Sequence, residues 1–261
     1  MRVPVVQHRS RRRRALRRRV LWTGGEFLVT AGVVLLLLVV HELWWTNREA
    51  RQGAEHQVQA LERQWAASTS TPTSTPGAVS SGTPEAGAGN TGSTGSGSAR
   101  RTTTANTVTP RRSQAYAILT IPRLHLRVPI AEGVSKQNVL NKGYVGHYSG
   151  TQQPGQAGNF ALAGHRNTHG EPFRYLPRLR LKDTVQVETS AAVFTYTVDK
   201  ILPQTSAADS GVIRPIPRST VKPSYGYSQP GHYITLTTCT PEFTSRYRMV
   251  VWGKLTSTHP R

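Results

Sequence analysis

The chain has 261 residues, 33 Lys and Arg against 13 Asp and Glu, a formal charge of +20 and a single cysteine. One cysteine excludes a disulfide framework within the chain. Carboxylates this scarce, and nowhere clustered, argue against a calcium site, so neither metal nor other cofactor is expected.

The basic excess begins at once. The first twenty residues hold Arg2, Arg9, Arg11 to Arg14 and Arg17 to Arg19, with no acid. Such a run alone reads as a nucleic-acid or nuclear-targeting patch. An apolar segment follows directly, and a basic run beside an apolar one is the pattern that sets membrane orientation. Residues 21–45 supply that segment, with an uncharged Leu- and Val-rich centre at Phe27 to Val40. Those fourteen central residues alone suit a signal-peptide core. The flanks favour a span: Trp22 on one side and Trp44 and Trp45 on the other are interfacial anchors, and bulky Leu43-Trp44-Trp45 offers no small-residue cleavage site. The reading is an uncleaved signal anchor. Residues 1–20 form a basic cytoplasmic tail, everything after Trp45 lies outside, membrane lipid is a partner and nucleic acid is not.

Residues 46–65 read as a juxtamembrane helical stalk, because Ala54, Val58, Leu61 and Trp65 recur every three to four residues. The same stripe would serve self-association. Residues 66–112 are nearly all Ser, Thr, Gly, Ala and Pro. They cannot bury enough apolar surface to fold, and read as a disordered linker. A flexible chain of ~45 residues typically spans roughly 35–40 Å, which suits a domain held off a membrane.

Residues 113–258 form the folded domain. Strands are expected at Ala115–Ile121, Val128–Ile130, Gly158–Gly164, Thr184–Val187, Val193–Ile201, Tyr233–Thr238 and Met249–Leu255. A helical turn is expected at Lys136–Asn141, a short helix at Pro172–Leu181, and a long loop at Thr205–Gly231. Many short strands with small helices give a mainly β barrel or sandwich.

Cys239 ends the alternating strand that begins at Tyr233, and Pro241 closes the ladder behind it. A thiol at a rigid strand end beside a loop is placed for reaction, whereas a lone cysteine elsewhere is often an inert apolar filler. A nucleophilic thiol needs a base or cation nearby. Arg246 and Arg248 precede the last strand and share a face by its two-residue period, so periodicity does not choose between them. The base must come from His147, His165, His169 or His232. His165 stands directly after an apolar strand. His165 and His169 have i, i+4 spacing, but the intervening Arg166-Asn-Thr lacks the Glu of a helical zinc motif and reads as loop.

Gly164-His165-Arg166, Thr235-Leu-Thr-Thr-Cys239 with Thr240-Pro241, and Tyr247-Arg248-Met together resemble the signature segments of the sortase family, over roughly Ala115 to Leu255. The Thr-Thr-Cys-Thr-Pro form, with Gly25-Glu26 and Glu42-Leu-Trp-Trp-Thr-Asn47, is most similar to the class E sortases of actinobacteria. The resemblance implies a closed eight-stranded β-barrel and a Cys-His-Arg site, carried here by Cys239, His165 and Arg248. It implies cleavage of a C-terminal sorting signal of Leu-Ala-x-Thr-Gly type and transfer of the new Thr carboxyl to a cell-wall or peptidoglycan-precursor amine. Thr237, Thr238 and Arg246 stand beside the site as candidate substrate contacts. The competing readings are an L,D-transpeptidase, whose cysteine follows a Ser-His-Gly that is missing here, and a non-catalytic wall-binding module that holds anionic polymer by charge.

Overall fold

A computed structural model describes residues 9–69 and 110–261. It begins with one continuous helix, α1 (Arg9–Thr69). Eight strands follow: β1 (Ala115–Ile121), β2 (Leu126–Glu132), β3 (Val145–His147), β4 (Gly158–Ala163), β5 (Thr184–Glu188), β6 (Ala192–Ser206), β7 (His232–Thr240) and β8 (Tyr247–Pro260). They close into a barrel in the order β1-β2-β3-β4-β7-β8-β6-β5, completed by pairing of β1 with β5. Only β2–β3 and β4–β7 are parallel.

Alternation along each strand sends one set of side chains inward. Leu119, Ile130, Phe160, Leu162, Tyr196, Ile234, Leu236 and Val251 fill the barrel. On the outer face a second cluster joins Tyr233, Val250 and Trp252 to Val212 and Tyr227 of the β6–β7 loop. That loop is ordered. The buried Asp209 carboxylate accepts hydrogen bonds from the hydroxyls of Thr205, Ser219 and Thr220 and from the Thr220 N–H, and Trp252 donates to the Val212 carbonyl at 3.1 Å.

Several elements depart from the sequence reading. β3 is an added strand of three residues, too short to show a period. The helix expected at Pro172–Leu181 is absent, and only a 3-10 turn forms at Leu176–Arg178. Pro177 lies mid-segment without an N–H and cannot donate to the Phe173 carbonyl, so a helical ladder cannot pass through it. The Lys136–Asn141 turn leads into a 3-10 turn at Leu140–Lys142. β6 and β8 extend well beyond their expected limits, because their long mutual pairing runs from Ala192–Pro260 to Ser206–Tyr247.

Residues 46–65 are helical, and the helix is docked on the barrel. Ala50, Ala54, Val58, Leu61 and Trp65 are all buried, and the last three pack on Ile118 of β1. The Arg261 guanidinium lies 4.7 Å from the Trp65 ring centroid. The expected disordered linker falls largely outside the described residues, which exclude 70–109. Upstream, α1 contains a stretch long and apolar enough to cross a membrane, and its Leu and Val side chains are exposed.

Docking of the helix predicts a stability effect. Leu61 is 3% exposed, so Leu61→Ala in the intact chain should cost about 2–4 kcal/mol in denaturant unfolding of the barrel. A free-standing stalk would leave barrel unfolding within about 0.5 kcal/mol of the parent.

Candidate active site

The site grows out of the β4–β7–β8 ladder. Ile234 and Leu236 face the barrel interior, so Thr235, Thr237 and Cys239 face outward along β7. Across the antiparallel β7–β8 pair, Cys239 stands directly opposite Arg248. Side chains directly opposite one another share a face, so thiol and guanidinium project together. In the parallel β4–β7 pair, Ala163 is in register with Thr237, and the Gly164 N–H continues the ladder to the Thr237 carbonyl at 3.1 Å. Two residues beyond Ala163 and Thr237 stand His165 and Cys239, on neighbouring strand ends spaced roughly 4.8 Å apart.

His165 is half-buried. Its Nε2 lies 2.9 Å from Asn141 Oδ1, and its ring stacks on His169 at 5.5 Å between centroids. Burial, aided by His169 and Lys136, pulls its pKa down from 6.5 to about 4. The imidazole is therefore neutral at neutral pH. If Nε2 donates to Asn141, the lone pair on Nδ1 is the proton acceptor. Gly164 is required beside it, since a Cβ there would meet the Phe173 ring at 2.6 Å.

The other histidines have different work. His147 is buried at the barrel end, 2.6 Å from Glu132 Oε2 and 2.9 Å from the Thr151 hydroxyl. His232 is exposed and bonds the Gly155 carbonyl at 2.9 Å.

The two arginines separate as well. Arg248 is half-buried within β8, and its Nη1 donates to the carbonyls of Ser245 at 2.9 Å and Tyr247 at 3.0 Å, which fixes the guanidinium. Arg246 lies in the loop before β8, exposed, with its guanidinium 5.1 Å from the Tyr247 ring centroid. The shared strand face expected for the pair does not form, because β8 starts after Arg246.

Thr237 and Thr238 are buried, and their hydroxyls serve the framework. Thr237 donates to the Leu162 carbonyl at 3.1 Å, and Thr238 to the Gly164 carbonyl at 2.8 Å. Thr238 thus ties down the residue preceding His165.

Three neighbours escaped the sequence reading. Arg166 donates from Nη1 to the Cys239 carbonyl at 3.2 Å and to the Thr240 hydroxyl at 3.0 Å. Asn141 holds His165, and the Tyr148 hydroxyl lies 3.1 Å from that of Thr237. Arg166 carried a usable signal, since a cation directly after His165 must lie near whatever His165 serves. Asn141 and Tyr148 come from loops whose approach no local pattern announces. Among the described residues no cluster of three or more metal-ligating side chains occurs.

This arrangement, on an eight-stranded barrel, has close counterparts. The sortase domain family model matches residues 119–256. Sortase SrtE1 of Streptomyces coelicolor is 42% identical over 91% of this chain, and Sortase SrtE2 of the same organism is 32% identical over 90%. The chain spans 57% of the length of the first and 81% of the second. The crystal structure of Sortase E1 from S. coelicolor with a tripeptide in its active site superposes with a TM-score of 0.54 at 51% identity, covering 59% of this chain and 94% of that one. Sortase E from Streptomyces avermitilis gives 0.51 at 39% identity, covering 57% and 93%. The chain belongs to the sortase family, and its similarity is to the class E members.

The depressed His165 pKa has a stability consequence of fixed sign. The folded value, about 4, lies below the unfolded 6.5, so the folded state resists protonation. Stability from this group is full above pH 6.5 and is lost as pH falls from 6.5 through 4. Melting temperatures across that window should fall less steeply for His165→Gln than for the parent, and equal slopes would contradict the burial described.

Proposed function

We propose that this chain is a single-pass, membrane-anchored transpeptidase, with the basic N-terminus cytoplasmic and the barrel outside. It cleaves a C-terminal sorting signal of Leu-Ala-x-Thr-Gly type between Thr and Gly and joins the Thr carboxyl to a cell-wall or peptidoglycan-precursor amine. Its protein partners are secreted proteins carrying that signal. The observation that carries this reading is the register that puts Cys239 opposite Arg248 and beside the strand end bearing His165.

The chemistry follows from the groups. Cys239 Sγ attacks the Thr carbonyl carbon as neutral His165 takes the thiol proton. The developing oxyanion is stabilised by guanidinium N–H groups of Arg248, whose Nη1 is held by two carbonyls while Nε and Nη2 remain for substrate. The C–N bond breaks, the His165 proton passes to the leaving Gly amine, and a thioester remains. An incoming amine attacks the thioester, giving its proton to His165, and the sulfur leaves and is reprotonated. Arg166 fixes the Cys239 carbonyl and holds the nucleophile's backbone through both steps. A wall-binding module would leave Cys239 an inert thiol. A half-exposed cysteine beside a neutral imidazole and a fixed guanidinium argues against that reading.

The intact chain, labelled Leu-Ala-x-Thr-Gly peptide and an amine acceptor should give cleavage between Thr and Gly, abolished in Cys239→Ala and His165→Ala. Arg248→Lys should lower kcat about 100-fold through loss of the fork of donors, with Arg246→Ala within about twofold of the parent. Sustained cleavage by Cys239→Ala would sink the mechanism, and equal losses in the two arginine variants would remove the distinction between them.

A further inference from the structure

We propose that the loop between β7 and β8, with the neighbouring 174–178 segment, is a membrane-docking surface that seats on the bilayer holding α1. The proposal rests on the anchor reading given above.

α1 does not end at the apolar stretch. It runs unbroken from that stretch onto the barrel, so residue height above the interface follows from the helical rise. At 1.5 Å per residue, Asn47 stands about 3 Å beyond Trp45 and Arg51 about 9 Å beyond it. Both already touch the catalytic domain. Asn47 Oδ1 accepts from the Gly170 N–H at 3.2 Å, and its Nδ2 donates to Glu171 Oε1 at 3.1 Å. Arg51 Nη2 pairs with Glu171 Oε2 at 3.0 Å, and its Nε donates to the Gly170 carbonyl at 3.2 Å.

The contact reaches the site side of the barrel. Arg174 pairs with the same Glu171 oxygen at 2.7 Å and with Glu242 Oε1 at 3.4 Å. Trp44, an interfacial anchor, lines one cleft with Asn47, Arg51, Glu171 and Arg174. Through Glu171, Arg174 is tied to the Asn47–Arg51 turn of α1, about 3–9 Å beyond Trp45, and Glu242 is tied to Arg174. Three residues from Cys239, the β7–β8 loop is thus held near the headgroups.

That loop carries the chemistry of an interface. Phe243 is 75% exposed and Arg246 is exposed beside it. Tyr175 is 44% exposed, with the Arg178 guanidinium 4.2 Å from its ring centroid. Aromatic side chains with arginines are what a headgroup layer accepts. The bilayer is the partner committed to, because it is the surface that α1 already brings to this height. The residues between 69 and 110 do not set the height. Trp65 packs on β1 and Ala115 opens β1, so both ends of that stretch are seated on the barrel whatever path lies between. The expected linker lies largely outside the described residues, and the docked helix alone sets the short standoff.

The lone cysteine makes the test clean. In a Cys239→Ala background, single cysteines at Thr244, Ser190 and Leu37 would carry a nitroxide in full-length chain reconstituted in vesicles of zwitterionic lipid with phosphatidylglycerol. Ser190 adjoins Ala191, whose carbonyl accepts from the Arg261 N–H near Trp65, about 30 Å along the helix from Trp45. Accessibility to oxygen and to a nickel chelate should place the label at 37 in the hydrocarbon, that at 190 in water and that at 244 at the headgroups. Adding Phe243→Ser, or a Gly-Gly-Ser-Gly insertion after Thr46, should move the 244 label toward water. A 244 label as water-exposed as the 190 label, with 37 buried, would overturn the docking surface alone. A water-exposed 37 label would overturn the anchor and the docking together. Because the chain measured lacks Cys239, neither outcome depends on transpeptidase activity.

Discussion

The site depends on the register of three strands. Ile234 and Leu236 on β7, Phe160 and Leu162 on β4, and Met249 and Val251 on β8 all belong to the barrel interior. A one-residue slip of β7 would turn its apolar set to the surface and bury Cys239, so core burial fixes which residues stand outward at the strand ends. The placement of Cys239 and Arg248 on one face therefore follows from the strands themselves. Burial of apolar side chains elsewhere along β7 and β8 holds Cys239 and Arg248 to one face, with His165 just beyond the neighbouring end of β4.

Around this ladder, polar groups hold the local geometry. Thr238, Asn141 and Arg166 each bond a backbone or ring atom of the site, and the turn after His165 is held from outside. His169, Gly170 and Glu171 all have positive φ, at 52°, 82° and 53°. For the two residues with a Cβ the left-handed region costs roughly 1–2 kcal/mol each. The buried Glu171 carboxylate, gripped by Asn47, Arg51 and Arg174, offsets that cost. α1 thus contributes to the shape of the loop that carries His169 against His165.

Much of this was legible in the sequence. Alternation from Tyr233 to Thr238 located Cys239 at a strand end, and the apolar run ending at Ala163 located His165. The eight-stranded closure came from family resemblance, since short strands alone left barrel and sandwich equally open. Three things were hidden for physical reasons. The residues of β3 show no period, and their pairing with β2 and β4 is decided by tertiary contact. Pro172–Leu181 has helical spacing, but Pro177 lacks the N–H that would carry the ladder through it. The stripe Ala54, Val58, Leu61 and Trp65 announces a buried face without naming what covers it, and the cover is Ile118, some 53 residues beyond Trp65. Periodicity left Arg248 and Arg246 equally open, and the preference for Arg248 came from the family resemblance.

In the proposed mechanism the outward-facing thiol of Cys239 carries the acyl group. Intact-mass spectrometry of the full-length chain, mixed with a Leu-Ala-x-Thr-Gly peptide and no amine acceptor, tests it most directly. The expected product is an adduct equal to the peptide truncated after Thr, mapped to Cys239, released by hydroxylamine, and absent in Cys239→Ala. Cleavage of the peptide with no adduct on the parent, or the same adduct on Cys239→Ala, would contradict it.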